Sequence, residues 1–307
     1  LGRMLPKRGT AINLCISLFY NSENWDILLT EGVRPFLTKT KGLLSYAINL
    51  SELRGDHIRL VLRVNKKAAK AIADKAKLHF DDFIQCFPSD LRDFKKGNDS
   101  FLFMDFENNT IRYGLFDYWF PSTLFQSEKF ERQISLLIIQ IFKEFGKNVL
   151  KDLDEIIIQL LLIYFNTLAL DNKEIIALLN VHLKTVRNTY DMKKWSDFRT
   201  KNQRAFEDNK ETLCNYISSC RENWNTEYDS EWENQWRQII HGIDQENQQR
   251  SSLELYNLFH EVFNRITTKL NSRNTLSIYC LLKDALEYIE GGMGYEKQDF
   301  DVNRQMN

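Results

Sequence analysis

The stretch "HIRLVLR", residues 57–63, alternates strictly. His57, Arg59, Val61 and Arg63 fall on one side, and Ile58, Leu60 and Leu62 on the other. A period of two marks a half-buried strand, with one face in a core and the other displaying its side chains. The displayed face here holds an imidazole and two guanidiniums. Arg59 and Arg63 are four residues apart, so their side chains leave the strand roughly 13 Å from each other. Two guanidinium forks aimed into one space suit carboxylates, which they grip bidentately. The plainer reading is the open face of an antiparallel sheet, where Arg and His simply meet water.

Working outward, "INLCISLFY" (12–20) reads as another strand, and "SENWDILLTEGVRPFL" (22–37) as a helix capped by Ser22 or Asn24. "LLSYAINL" (43–50) and "HIRLVLRV" (57–64) are two strands joined by the polar "SELRGD", with Gly55 in the turn. An Ala- and Lys-rich helix follows over 66–84, then a predicted hairpin of "SFLFMDFE" (100–107) and "TIRYG" (110–114). The order strand–helix–strand–strand–helix–strand is that of a ferredoxin-like split βαβ unit.

Beyond Pro121 there is no further proline, and the text becomes a succession of helices expected at 128–146, 151–170, 172–188, 191–222, 229–246, 252–270 and 274–290. The expected class is therefore α+β. Residues 1–121 form an α/β sheet portion, and 122–290 a helical portion packed on the same core. Residues 291–307, glycine-bearing and poor in apolar residues, form a flexible tail.

At 307 residues the chain can bury a real core. A formal net charge of -1 argues against a dedicated duplex-binding protein, so an anionic ligand must be met by a local cluster. The five cysteines are scattered without a C-x-x-C pair, which indicates neither zinc site nor disulfide framework and fits reduced thiols in a cytoplasm. The most apolar segment, 155–170, is broken by Gln159 and Asn166 and reads as a buried helix rather than a membrane span. Phosphate-loop, zinc-protease and serine-hydrolase motifs are absent.

Two further stretches bear candidate chemistry. In "FENNTIRYG" (106–114), Asn residues suited to left-handed backbone precede Arg112, and Gly114 closes the strand. In "LFHEVFNRI" (258–266), His260 and Asn264 stand one helical turn apart and share a face, with Arg265 one position further on. A lone helical His beside apolar residues is ordinarily a boundary residue, and an Arg after a turn is ordinarily solvated.

Taken in order and at this spacing, "HIRLVLR", "FENNTIRYG" and "HEVFNR" resemble the thiopeptide-type bacteriocin biosynthesis domain, equivalent to the C-terminal elimination domain of class I lantibiotic dehydratases. That pattern reads H-L-R-L-R on a strand, then Y-E-x-E-x-E-R-Y-G-G, then H-x-x-x-N-R on a late helix. The resemblance implies a stand-alone lyase that removes glutamate from glutamylated Ser or Thr of a ribosomal precursor peptide, leaving dehydroalanine or dehydrobutyrine. Carried over by position, the implied catalytic residues are Arg59, Arg112 and His260, with His57, Arg63, Asn264 and Arg265 as substrate-binding neighbours. The implied partners are the precursor (leader plus core), a separate tRNA-dependent glutamylating protein and a second copy of the chain. Direct nucleic-acid contact, a membrane, a metal and a cofactor are not implied. The chain departs from the pattern at Val61, Phe106, Asn109 and Ile111, and the final G-G becomes "GL". These departures keep two alternatives open: a pyridine synthase joining two dehydroalanines with release of the leader, and a non-catalytic precursor-binding subunit.

Overall fold

The computed structural model describes residues 11–91, 105–115, 127–222, 230–245 and 251–302. Strand β1 (Ala11–Phe19) leads into a helical run, α1 (22–39), then β2 (Leu43–Ser51), β3 (His57–Asn65), α2 (Ala69–Cys86) and β4 (Thr110–Tyr113). The sheet is antiparallel in the order β2-β3-β1-β4. Both the chain order and the sheet order are those of the expected ferredoxin-like unit. α1 is irregular: Asn21, not Ser22 or Asn24, caps it by accepting from the Glu23 N–H, and Leu28–Val33 is a π-helical stretch.

Of the expected 100–107 strand, residues 100–104 lie outside the described residues, and Asp105–Glu107 is not strand. Phe106 instead donates its backbone N–H to the Arg54 carbonyl (2.8 Å), and β4 finds its partner in β1. Arg54 and Gly55 hold φ of 63° and 108° in the β2–β3 turn. A Cβ on Gly55 would stand 3.1 Å from the Phe106 carbonyl oxygen, so this turn requires glycine both for its backbone and for the close approach.

The alternation of β3 does not divide core from solvent. His57 and Val61 are buried along with Ile58, Leu60 and Leu62, and on the face that His57 and Val61 share with Arg59 and Arg63 only the two arginines keep partial exposure.

Six helices follow the expected bounds within a few residues: α3 (Ser127–Phe145), α4 (Leu153–Thr167), α5 (Asn172–Arg187), α6 (Met192–Glu222), α7 (Glu231–Gln245) and α8 (Ser252–Lys269); the last, α9 (Thr275–Val302), runs twelve residues past its expected end, into the stretch expected as a tail. The chain divides into two compact units. One holds residues 1–151 with 266–271, the other 152–265 with 272–307. The break thus falls after α3, whereas the change in composition comes near residue 122.

Within the first unit, α3 and the last turn of α8 close the outer edge of β2. An edge strand leaves a row of unpaired N–H and C=O groups. Here the Ser135 hydroxyl accepts from the Ile48 N–H (3.0 Å), and Lys269 Nζ donates to the Ile48 carbonyl (3.3 Å). Lys269 also meets Glu131 at 2.6 Å, with side chains only 3% and 1% exposed. Their mutual neutralisation is what permits two ions to sit in that core. In the second unit α4 is apolar on nearly every side, as a helix enclosed by others must be. The α7 residue Trp236 donates its indole N–H to the Leu160 carbonyl of α4 at 2.8 Å.

Removing one member of the buried pair strands the other. Glu131→Ala is expected to cost about 3–5 kcal/mol in urea unfolding, and the joint change Glu131→Leu with Lys269→Met is expected to recover most of that loss. Equal destabilisation by the single and double changes would overturn this account of the pair.

Candidate active site

The sheet register places the two predicted arginines in one row. Ser17 of β1 stands opposite Arg59 of β3 on one side and opposite Arg112 of β4 on the other. Directly opposed residues share a sheet face, so Arg59 and Arg112 emerge on the same side across a small hydroxyl residue. Two inter-strand gaps put their backbones roughly 10 Å apart. The row continues to Asn49 of β2, opposite Arg59, whose side-chain carbonyl accepts from Lys269 at 3.3 Å. This face therefore carries the guanidiniums of Arg59 and Arg112, while Lys269 at the β2 edge is buried and neutralised by Glu131.

Arg59 is held by its own strand. His57 Nδ1 lies 2.8 Å from the Gly55 carbonyl, and Arg59 Nε lies 3.0 Å from His57 Nε2. A carbonyl only accepts and a guanidinium only donates, so the imidazole must be the neutral Nδ1–H tautomer. Burial pushes the His57 pKa down to about 4, with the nearby Arg59 charge acting in the same direction against the Gly55 bond, which favours the charged form. Arg59 Nη2 donates in addition to the Ser51 hydroxyl at 3.1 Å. Both of these acceptors are neutral, so they orient the fork without cancelling its charge.

Arg112 is exposed and has no carboxylate partner among the described residues. Its guanidinium sits 5.4 Å from the centroid of Phe106, and Arg54 sits 4.5 Å from the same ring. Phe106 packs on Phe19 (4.8 Å), and Phe19 on His57 (4.6 Å). A column of rings thus runs between the two predicted arginines. Asn109, one of the departures from the family pattern, has φ 62°, which Asn tolerates. It accepts from the Ser89 N–H (2.8 Å) and donates to the Ser89 carbonyl (2.9 Å).

The remaining predicted residues are distributed differently. His57, expected at the substrate, has no exposed surface and serves to hold Arg59. Arg63 is at the far end of β3, paired with Glu128 at 2.8 Å. His260, Asn264 and Arg265 belong to the second unit, on α8. His260 and Asn264 are exposed, and Arg265 is mostly buried and paired with Glu261 at 2.6 Å.

Sequence reading passed over His182. It is buried on α5 with its ring 5.5 Å from His260 and 5.0 Å from Tyr279, while Tyr256 stacks on His260 at 6.1 Å. Its Nδ1 is buried without a hydrogen-bond partner among the described residues. Burial, then the neighbouring His260, drives its pKa down to about 4. Arg54 and Ser17 were passed over as well, and Phe106 was noted only as a departure from the family pattern. Only the pairing of β4 with β1 shows where they lie.

Among the described residues no group of three or more His, Cys, Asp or Glu side chains is arranged as for a metal ion, and no helix is long and apolar enough to cross a membrane.

These features define an α+β protein built on a ferredoxin-like antiparallel sheet with an arginine-bearing face and a helical second unit. Residues 14–286, most of the chain, match the family described as lantibiotic biosynthesis dehydratase C-term, and the chain belongs to that family, whose setting is the biosynthesis of ribosomally made peptide products. No curated protein sequence matches the chain. Among solved structures it is similar to the pyridine synthase TbtD from thiomuracin biosynthesis, with a TM-score of 0.61 at 15% identity over 91% of this chain and 99% of that one. It is also similar to TsrL, with a TM-score of 0.55 at 12% identity over 91% of this chain and 95% of that one. At such identities the likeness is one of fold.

The two depressed histidines make stability pH-dependent. Each is neutral when folded and takes up a proton near 6.5 when unfolded, so the stability it carries is whole above about 6.5 and is lost as pH falls toward about 4. The expected slope is at most roughly 1.4 kcal/mol per pH unit for each. Urea midpoints measured from pH 7.5 to 5 should fall accordingly, and His182→Leu should flatten that fall. An unchanged slope in the variant would refute the assignment.

Proposed function

We propose that the chain is a lyase that eliminates glutamate from glutamylated Ser or Thr of a ribosomal precursor peptide. The observation that carries the reading is the single sheet face shared by Arg59 and Arg112, together with membership of the dehydratase C-terminal family. A glutamyl ester presents a carboxylate to be bound and releases a second one as it leaves. In the reaction a base takes the proton from Cα, the electron pair forms the Cα–Cβ double bond, and the Cβ–O bond breaks. Glutamate departs as its carboxylate. Negative charge develops on an enolate-like oxygen and on the leaving acid, and guanidiniums fixed beforehand stabilise both. Arg59, locked by a neutral imidazole, is the oriented donor, and Arg112, on an aromatic support, is the adaptable one.

His260 is the proposed proton carrier. It is exposed, and its ring is framed by Tyr256 and His182. A buried neutral imidazole beside it adds bulk and polarity without adding charge. In partnership, the reading calls for a precursor peptide and for a tRNA-dependent glutamylating protein that prepares it.

One observation favours cycloaddition as a second reading: the likeness to the thiomuracin pyridine synthase extends over 99% of that chain. The non-catalytic reading draws on Val61, 1% exposed, which leaves an apolar core residue where the family pattern has its second arginine.

The test uses a short synthetic peptide bearing an O-glutamyl serine. Elimination is expected to give a product one water lighter than the unmodified serine peptide, seen by mass spectrometry. Arg112→Ala is expected to slow turnover by about 10²–10³-fold, and His260→Ala by ~10²–10⁴-fold, both with unchanged far-UV circular dichroism. An untouched ester would reject the lyase. Ring formation from a peptide holding two dehydroalanines would establish the cycloaddition instead.

A further inference from the structure

The second unit has a concavity that the proposed chemistry leaves unused. α5, α6 and α9 surround about 370 Å³ open to solvent, with Lys184, Arg187, Trp195, Arg199 and Lys283 among its lining. Cations thus enter it from three separate helices. Lys184 and Arg187 occupy the last turn of α5, where the helix dipole favours positive charge. The dipole accounts for those two and not for Arg199 and Lys283.

The counter-charges are fewer than the cations. Arg199 Nη2 donates to both oxygens of Asp284 at 3.2 and 3.4 Å, and Lys283 lies 3.4 Å from Asp284 and 2.7 Å from Glu287. Lys184 and Arg187 are exposed and have no carboxylate partner among the described residues. Arg199 also hydrogen-bonds with the Cys280 thiol. Amid these charges Trp195 offers a half-buried indole, packed against Phe198 (5.6 Å) and against Tyr190 (5.9 Å), itself 45% exposed.

We propose that this groove binds an acidic segment of the precursor peptide, its carboxylates meeting Lys184 and Arg187 while an apolar side chain lies against Trp195. The identity of the peptide rests on the functional reading above; the charge chemistry does not. A peptide fits better than a nucleic acid. The family's setting, the biosynthesis of ribosomally made peptide products, favours a peptide as the anionic ligand. The same charge-driven binding weakens as salt rises.

Fluorescence anisotropy with the full chain tests the groove. The probes are a fluorescein-labelled peptide of repeated Glu-Glu-Leu-Phe, its Gln-for-Glu counterpart, and a labelled oligouridine of similar length. The acidic peptide is expected to bind in a salt-sensitive way, and the Gln peptide about tenfold more weakly or worse. Lys184→Glu with Arg187→Glu is expected to weaken the acidic peptide by about tenfold with unchanged far-UV circular dichroism. Equal binding of the Gln peptide, tighter binding of oligouridine, or unaltered affinity in the double variant would overturn the proposal. So would no binding at all. The double variant should still process the short O-glutamyl serine peptide, which lacks an acidic segment, at the wild-type rate. That rate reports on the lyase and the anisotropy on the groove, so either can fail without the other.

Discussion

The sheet face turns on one neutral imidazole. His57, without exposed surface, donates to the Gly55 carbonyl and accepts from Arg59. A carboxylate in that place would hold a guanidinium more tightly and would also neutralise it. An imidazolium would repel it. The buried neutral ring is the option that fixes the fork in direction and leaves its charge in place. The surrounding structure follows from keeping that ring neutral and packed: Phe19 packs on it and Phe106 on Phe19, and Gly55 lets the turn come close enough for Phe106 to reach the Arg54 carbonyl.

Polar groups buried elsewhere in the first unit obey the same economy of partners. The outer edge of β2 is closed by a hydroxyl from α3 and an ammonium from the end of α8, and the ammonium is matched to Glu131. Side chains thus do at Ile48 what another strand would do. The cost is a buried ion pair whose members are tolerable only together.

The second unit uses its polar side chains differently. Around His260 the neighbours are rings, and the buried His182 stays neutral among them. At the concavity between α5, α6 and α9 the side chains remain charged, because they stand at a solvent-open surface where water shares the work of solvation. Burial thus leaves His182 neutral within this unit, with cations at the rim of the concavity.

Much of this was open to inspection in the chain itself. The period of two marked β1, β2 and β3, the break in proline usage marked the helical succession, and the order of elements determined the ferredoxin-like topology, because these are local patterns set by each residue's immediate neighbours. The motif order marked the family in the same way. The use of 105–107 was not legible: a predicted hairpin gave those residues to a strand, whereas Phe106 is used as a ring between arginines. Nor could the sequence assign Ser17 to the gap between Arg59 and Arg112, bury His57 and Val61 on a face expected to be open, or bring His182 to His260. Those outcomes depend on register and burial, which arise only when segments distant along the chain pack together and decide which groups lose their water.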